Sequence, residues 1–130
     1  METVRIDEER FCRLGYRLVD LAAHHLYHAR ERPPYRPLPD DIQHALTSLR
    51  LPELGQAPDE LLAFFTEYIL PYSTFGIGHP KGFGWIAAGP DPMAVLGSLL
   101  CAALNPNALG GDQSATYLEL SVLRWLAEIV

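Results

Sequence analysis

Apolar positions recur at helical spacing along this chain and predict five helices. The first runs from about Asp7 to Ala29, with Phe11, Leu14, Leu18, Leu21 and Ala22 on one face. Asp7 suits its N-cap, and Glu8 and Glu9 place negative charge in the first turn, where the helix dipole favours it. Four prolines between Pro33 and Pro39 then forbid helix and favour an extended, polyproline-like strap. A short helix follows from about Asp40 to Thr47. A longer one spans Pro58 to Leu70, begun by Pro58 with Asp59 and Glu60, and ended by Pro71. Leu61, Leu62, Phe65, Tyr68 and Ile69 supply its apolar face.

From Tyr72 to Pro92 the chain carries five glycines and three prolines and reads as loop or extended backbone. The fourth helix, Met93 to Leu104, is apolar nearly all round and is expected to be buried on all sides. Asn105-Pro106-Asn107 breaks it, and Gly110-Gly111 makes a flexible turn. Thr116 and Glu119 have capping-box spacing for the last helix, which reaches Val130 with Trp125, Leu126, Ile129 and Val130 still apolar and no stop signal. The expectation is a chain cut within an element.

Charge and cysteine content narrow the function. The formal net charge is −6, and nine arginines and one lysine are scattered, so there is no basic face for a nucleic-acid backbone. Cys12 and Cys101 lie far apart with no CxxC spacing, which argues against a zinc site or disulfide framework and for two reduced, buried thiols. The acidic N-terminus is not a secretory signal, and the longest apolar run is too short for a bilayer, so the expected location is the cytoplasm, with no membrane partner.

Chemical constellations are sparse. His24 and His28 stand four apart on one helix, but no third ligand or HExxH glutamate accompanies them, so no metal site is expected. Gly110-Gly111-Asp112 lacks the spacing of a phosphate-binding loop, and Ser98 and Ser114 lack a GxSxG context. Lys81 is the sole lysine.

The order of motifs is more telling. Phe11-Cys12-Arg13-Leu14-Gly15-Tyr16-Arg17-Leu18-Val19-Asp20 is followed by the strap Pro33 to Pro39, then Ile69-Leu70-Pro71, then His79-Pro80-Lys81-Gly82-Phe83-Gly84-Trp85. Ala103-Leu104-Asn105-Pro106 and Gly110-Gly111-Asp112 come next, with Ala115, Tyr117, Leu118 and Glu119. This series resembles the opening of the pyridoxal-phosphate-dependent (group II) amino-acid decarboxylases, the aromatic-amino-acid and glutamate decarboxylase group. Patterns like FRRLGYRMVD, HPxFFGW and ALNPxxxGGDxxAxYLE occur there in the same order. Gly82 stands where an aromatic is common.

The resemblance implies a mainly α chain. Residues 1–90 would form a helical dimerisation segment with its strap, and residues 91–130 the start of the large domain of an aspartate-aminotransferase-like α/β fold. Phe83, Trp85, Ile86, Ala87 and Ala88 would wall the substrate side of the active site, and Asn107 and Leu109 would reach towards a neighbouring subunit's site. Ala88 replaces a threonine common in aromatic-amino-acid decarboxylases and removes a hydrogen-bond donor. The implied activity is release of CO2 from an L-amino acid, with pyridoxal 5'-phosphate as cofactor and a homodimer as the working form. The family's Schiff-base lysine lies far downstream beside a histidine, so Lys81 is read as a surface-loop lysine, and no catalytic or cofactor-binding residue is expected in these 130 residues. The alternative is a truncated, non-enzymatic paralogue acting as a helical interaction module.

Overall fold

The computed structural model describes residues 6–73, 76–84, 86–105 and 112–130. Its elements are helical, with no strand among the described residues: α1 (Glu8–Tyr27), α2 (Asp40–Thr47), α3 (Pro58–Phe64), α4 (Pro92–Leu104) and α5 (Ser114–Ile129). The chain divides into two units, Met1–Pro90 and Asp91–Val130.

In the first unit, α1 starts where its cap says. The Asp7 carboxylate accepts from the Arg10 backbone N–H at 2.7 Å, satisfying one of the donors that a helix leaves unpaired at its N-terminus. The helix ends two residues earlier than its apolar pattern implies, and Ala29–Glu31 tighten into a 3-10 turn. Leu14 is the most buried large side chain at 8 % exposure, whereas Phe11 and Leu18 of the same predicted face are 56 % and 50 % exposed.

The strap is tied to the segment after α3 at two points. The Arg36 guanidinium lies over the Tyr72 ring, 5.3 Å from its centroid. Further along, the Pro34 carbonyl oxygen lies 3.1 Å from where a β-carbon on Gly76 would sit. The helix begun at Pro58 does not run straight to its proline. Phe65–Ile69 widen into a π-turn, with the Leu70 N–H donating to the Phe65 carbonyl, before Leu70–Tyr72 tighten into 3-10 geometry. The cause is Pro71, which lacks an N–H and whose ring would strike the carbonyl four residues back in a regular α-helix.

One carboxylate joins α1 to α3. Asp59, in the first turn of α3, accepts from Arg17 and lies 3.5 Å from the Arg10 Nη2. The two arginines stand seven apart, two turns along one face of α1. The Arg17 hydrogen bond, aided by the charges of Arg17 and Arg10 and opposed by slight burial, lowers the Asp59 pKa below its ordinary value. A carboxylate with a depressed folded pKa stabilises the fold above its unfolded pKa, about 4, and loses that contribution as pH falls through the folded value. Thermal melts at pH 6 and pH 3 should therefore differ more for the native chain than for Asp59→Asn. The effect is small because the pair is solvent-exposed.

In the second unit, the Asp91 carboxylate caps α4 by accepting from the Ala94 N–H at 3.0 Å, with Pro92 at the first helical position. Asn105 closes the helix in the left-handed region (φ 42°), its N–H donating to the Cys101 carbonyl at 2.9 Å. Here the structure corrects three expectations. Neither α4 nor α5 has a buried residue, and Leu99, Leu100 and Leu104 of α4 are 52 %, 64 % and 77 % exposed, because no described residue of the second unit supplies the surface such a helix needs. Cys12 and Cys101 are exposed rather than buried. Thr116 does not cap α5: the helix begins at Ser114, which places Thr116 inside it, with a buried hydroxyl that has no partner.

Candidate functional site

The loop that the motifs single out is built on close glycine contacts. The His79 N–H donates to the Gly76 carbonyl and the Gly82 N–H to the His79 carbonyl, each at 2.9 Å, so two successive turns coil the chain back on itself. Gly76 is buried with φ +70°, and a β-carbon there would meet the Gly82 α-carbon at 2.9 Å. A β-carbon on Gly82 would sit 2.1 Å from the Gly76 carbonyl oxygen, closer than any side chain tolerates. A second crossing brings Gly78 (φ +76°) against Gly89, where a β-carbon on Gly89 would lie 3.1 Å from the Gly78 α-carbon. Glycine at 82, where the related motif commonly has an aromatic, is thus the residue that lets this backbone close.

His79 is fixed within the loop. Its Nδ1 accepts from the Lys81 backbone N–H at 2.9 Å, which leaves the neutral ring's proton on Nε2. The Lys81 side chain is exposed. Beyond the turns, Phe83 (90 %) and Ile86 (110 %) stand bare to solvent, and Ala87 and Ala88 are exposed beside them. These four expected wall residues share one loop, but none of them lines either cavity of the first unit. Trp85, Asn107 and Leu109 lie outside the described residues. Of the second motif, the Tyr117 hydroxyl donates to the Asp112 carboxylate at 2.5 Å, tying the loop end to α5 and raising the Tyr117 pKa.

The chain resembles a decarboxylase. It is 26 % identical over 131 aligned positions to an aromatic-L-amino-acid decarboxylase of Bacillus atrophaeus, in a match covering 99 % of this chain. The chain spans 27 % of that enzyme's length. No protein-family model matches the chain, and no solved structure does. The similarity relates the chain to a part of a carboxy-lyase.

Two further cavities of the first unit are lined by other segments. One, between α1 and α3, is lined by Arg17, Asp20, Leu21, Leu62, Ala63, Thr66 and Glu67. The other, of about 180 Å³, is walled by His24, His25, Arg32, Pro33, Arg36, Leu70 and Pro71. Sequence patterning missed the second because its parts come from α1, from Arg32 and the strap after it, and from the 3-10 turn Leu70–Tyr72. Its trace in the sequence is Arg32 just before the strap and Arg36 within it. The His24–His28 pair is not arranged as metal ligands. The rings stack with centroids 4.4 Å apart, His28 Nδ1 lies 3.2 Å from the His24 carbonyl oxygen, and no group of three or more metal-ligating side chains occurs among the described residues.

No helix among the described residues is long and apolar enough to cross a membrane.

Proposed function

We propose that these 130 residues act as the N-terminal part of a pyridoxal-phosphate-dependent amino-acid decarboxylase, supplying a dimer interface and one wall of the substrate pocket. The observation that carries this reading is the similarity to a decarboxylase along 99 % of the chain. Two structural features support it. Aromatic and aliphatic side chains at Phe83 and Ile86 stand out from a glycine-built loop, left open by the described residues, as the wall of a shared pocket would be before its other walls are present. The apolar surfaces of α4 and α5 are bare in the same way.

The residues present do not fit the cofactor. A Schiff-base lysine needs a desolvated pocket that lowers its pKa. Lys81 is exposed, and neither cavity of the first unit contains a lysine. In this reading the cofactor is held by residues outside these 130, and the chain alone is inactive. Its own contribution is to shape and dry the pocket around an L-amino-acid side chain. Gly84, with open space where a β-carbon would sit, lets the backbone approach a ligand closely, and the Ala88 side chain offers no hydrogen bond.

The experiment is to read the coding sequence past Val130, express what it encodes, and measure CO2 release from aromatic and acidic L-amino acids with added pyridoxal phosphate. Release by that protein and none by residues 1–130 is the expected result. A stop codon after Val130 sinks the enzyme reading. The bare apolar faces favour one second reading, an interaction module that pairs with a full-length decarboxylase, and under it a stop codon would accompany co-purification with that enzyme.

A further inference from the structure

The cavity walled by α1, Arg32 with the strap after it, and the 3-10 turn Leu70–Tyr72 is unusual for a chain of net charge −6. Its lining holds two arginines and two histidines, with no aspartate or glutamate. No carboxylate among the described residues pairs with Arg32 or Arg36, although Arg10, Arg13 and Arg17 on the neighbouring helix all have acidic partners. Half-buried Arg32 and exposed Arg36 thus bring positive charge to one cavity whose lining offers no acid to offset it.

Arg32 is set in place. One terminal nitrogen donates to the His25 carbonyl at 2.7 Å and the other to His25 Nδ1. Partial burial, then the nearby charges of Arg32 and His24, hold the His25 ring neutral, so it accepts this bond rather than repelling the guanidinium. Arg36 is steadied from the other side by the Tyr72 ring. Both guanidinium groups keep further N–H donors beyond these contacts. Pro33, Leu70 and Pro71 complete the wall with apolar surface.

We propose that this cavity binds a phosphate group, either free or as a monoester of a small organic molecule. A tetrahedral dianion can accept from two guanidinium forks and an imidazole approaching from different directions, whereas a single carboxylate is satisfied by one fork. The volume, about 180 Å³, is below the several hundred Å³ of pockets for larger ligands, so the organic part is short. The apolar wall accommodates its carbons. The inference does not depend on the decarboxylase reading.

The test is calorimetric titration of the full chain with inorganic phosphate, glycerol 3-phosphate, sodium acetate and sodium chloride at constant ionic strength, with helicity followed by circular dichroism. Phosphate or glycerol 3-phosphate should bind saturably, and the tighter of the two identifies the free or esterified form. Arg36→Gln should weaken binding ~10-fold or more, the size expected for losing charged hydrogen bonds, and Arg32→Lys should weaken it while keeping the charge and the helicity. Arg13→Gln, which removes a surface arginine paired with Glu9, should leave it unchanged. Acetate binding as tightly as phosphate, a response to chloride of equal size, equal affinity in Arg36→Gln, or no saturable binding at all would each overturn the proposal.

Discussion

Replacing Gly76 by alanine should open the glycine-built loop. The position is buried with φ +70°, so a β-carbon both strains the backbone and meets the Gly82 α-carbon at 2.9 Å and the Pro34 carbonyl oxygen at 3.1 Å. Left-handed backbone alone costs a non-glycine residue about 1–2 kcal/mol. The overlaps with Gly82 and Pro34 add to it, because the atoms met are backbone and cannot rotate aside. Gly82→Ala should act the same way from the opposite strand of the crossing, since its β-carbon meets the Gly76 oxygen at 2.1 Å. Amide exchange at His79 and Gly82, whose N–H groups close the two turns, should accelerate ~10-fold or more in either variant, the rate change that corresponds to about 1.4 kcal/mol of local opening. A protease specific for lysine offers an independent readout in Gly76→Ala, because Lys81 is the sole lysine and lies inside the loop. Unchanged exchange and unchanged cleavage would show that the loop is not held by glycine packing.

Leu14→Ala should cost the first unit ~2 kcal/mol, at the low end for a large-to-small core change because the half-exposed surroundings can collapse into the space. Leu14 is buried to 8 % exposure, and Ala29 is the other buried hydrophobic residue. Leu18, one turn further along α1, is 50 % exposed, and Leu18→Ala should stay within about 0.5 kcal/mol. Urea unfolding followed by helical circular dichroism separates the two. Equal losses would mean that α1 is buried to the same depth on both turns in solution.

These two residues also show what the sequence makes legible. Local signals carried the element boundaries. Pro39 followed by Asp40-Asp41 sets the start of α2, and Asp91-Pro92 sets the start of α4, because cap and proline chemistry acts within three or four residues of the chain. The π-turn was not legible, since it resolves a clash between Pro71 and a backbone carbonyl that no hydrophobic pattern records. The Thr116–Glu119 spacing misled because Ser114 and Ala115 adopt helix first, and capping depends on which residue lies outside the helix rather than on spacing alone. Burial was least legible. Helical periodicity says which face of α4 is apolar, but the surface that covers it is a property of whatever it packs against. In the candidate site, the HPKGFGW run marked the loop, while the reason for Gly82 became visible only when Gly76 was placed against it. The arginine-lined cavity needed three separate segments to be brought together before it existed.

The bare surface of α4 has a consequence for how the cell handles this chain. Leu99, Leu100 and Leu104 in the open form the kind of apolar stretch that chaperones hold and quality-control proteases recognise. Under the proposed function a second subunit would cover those leucines. The amount of chain that survives in a cell should then rise when that partner is supplied and fall when the chain is made alone.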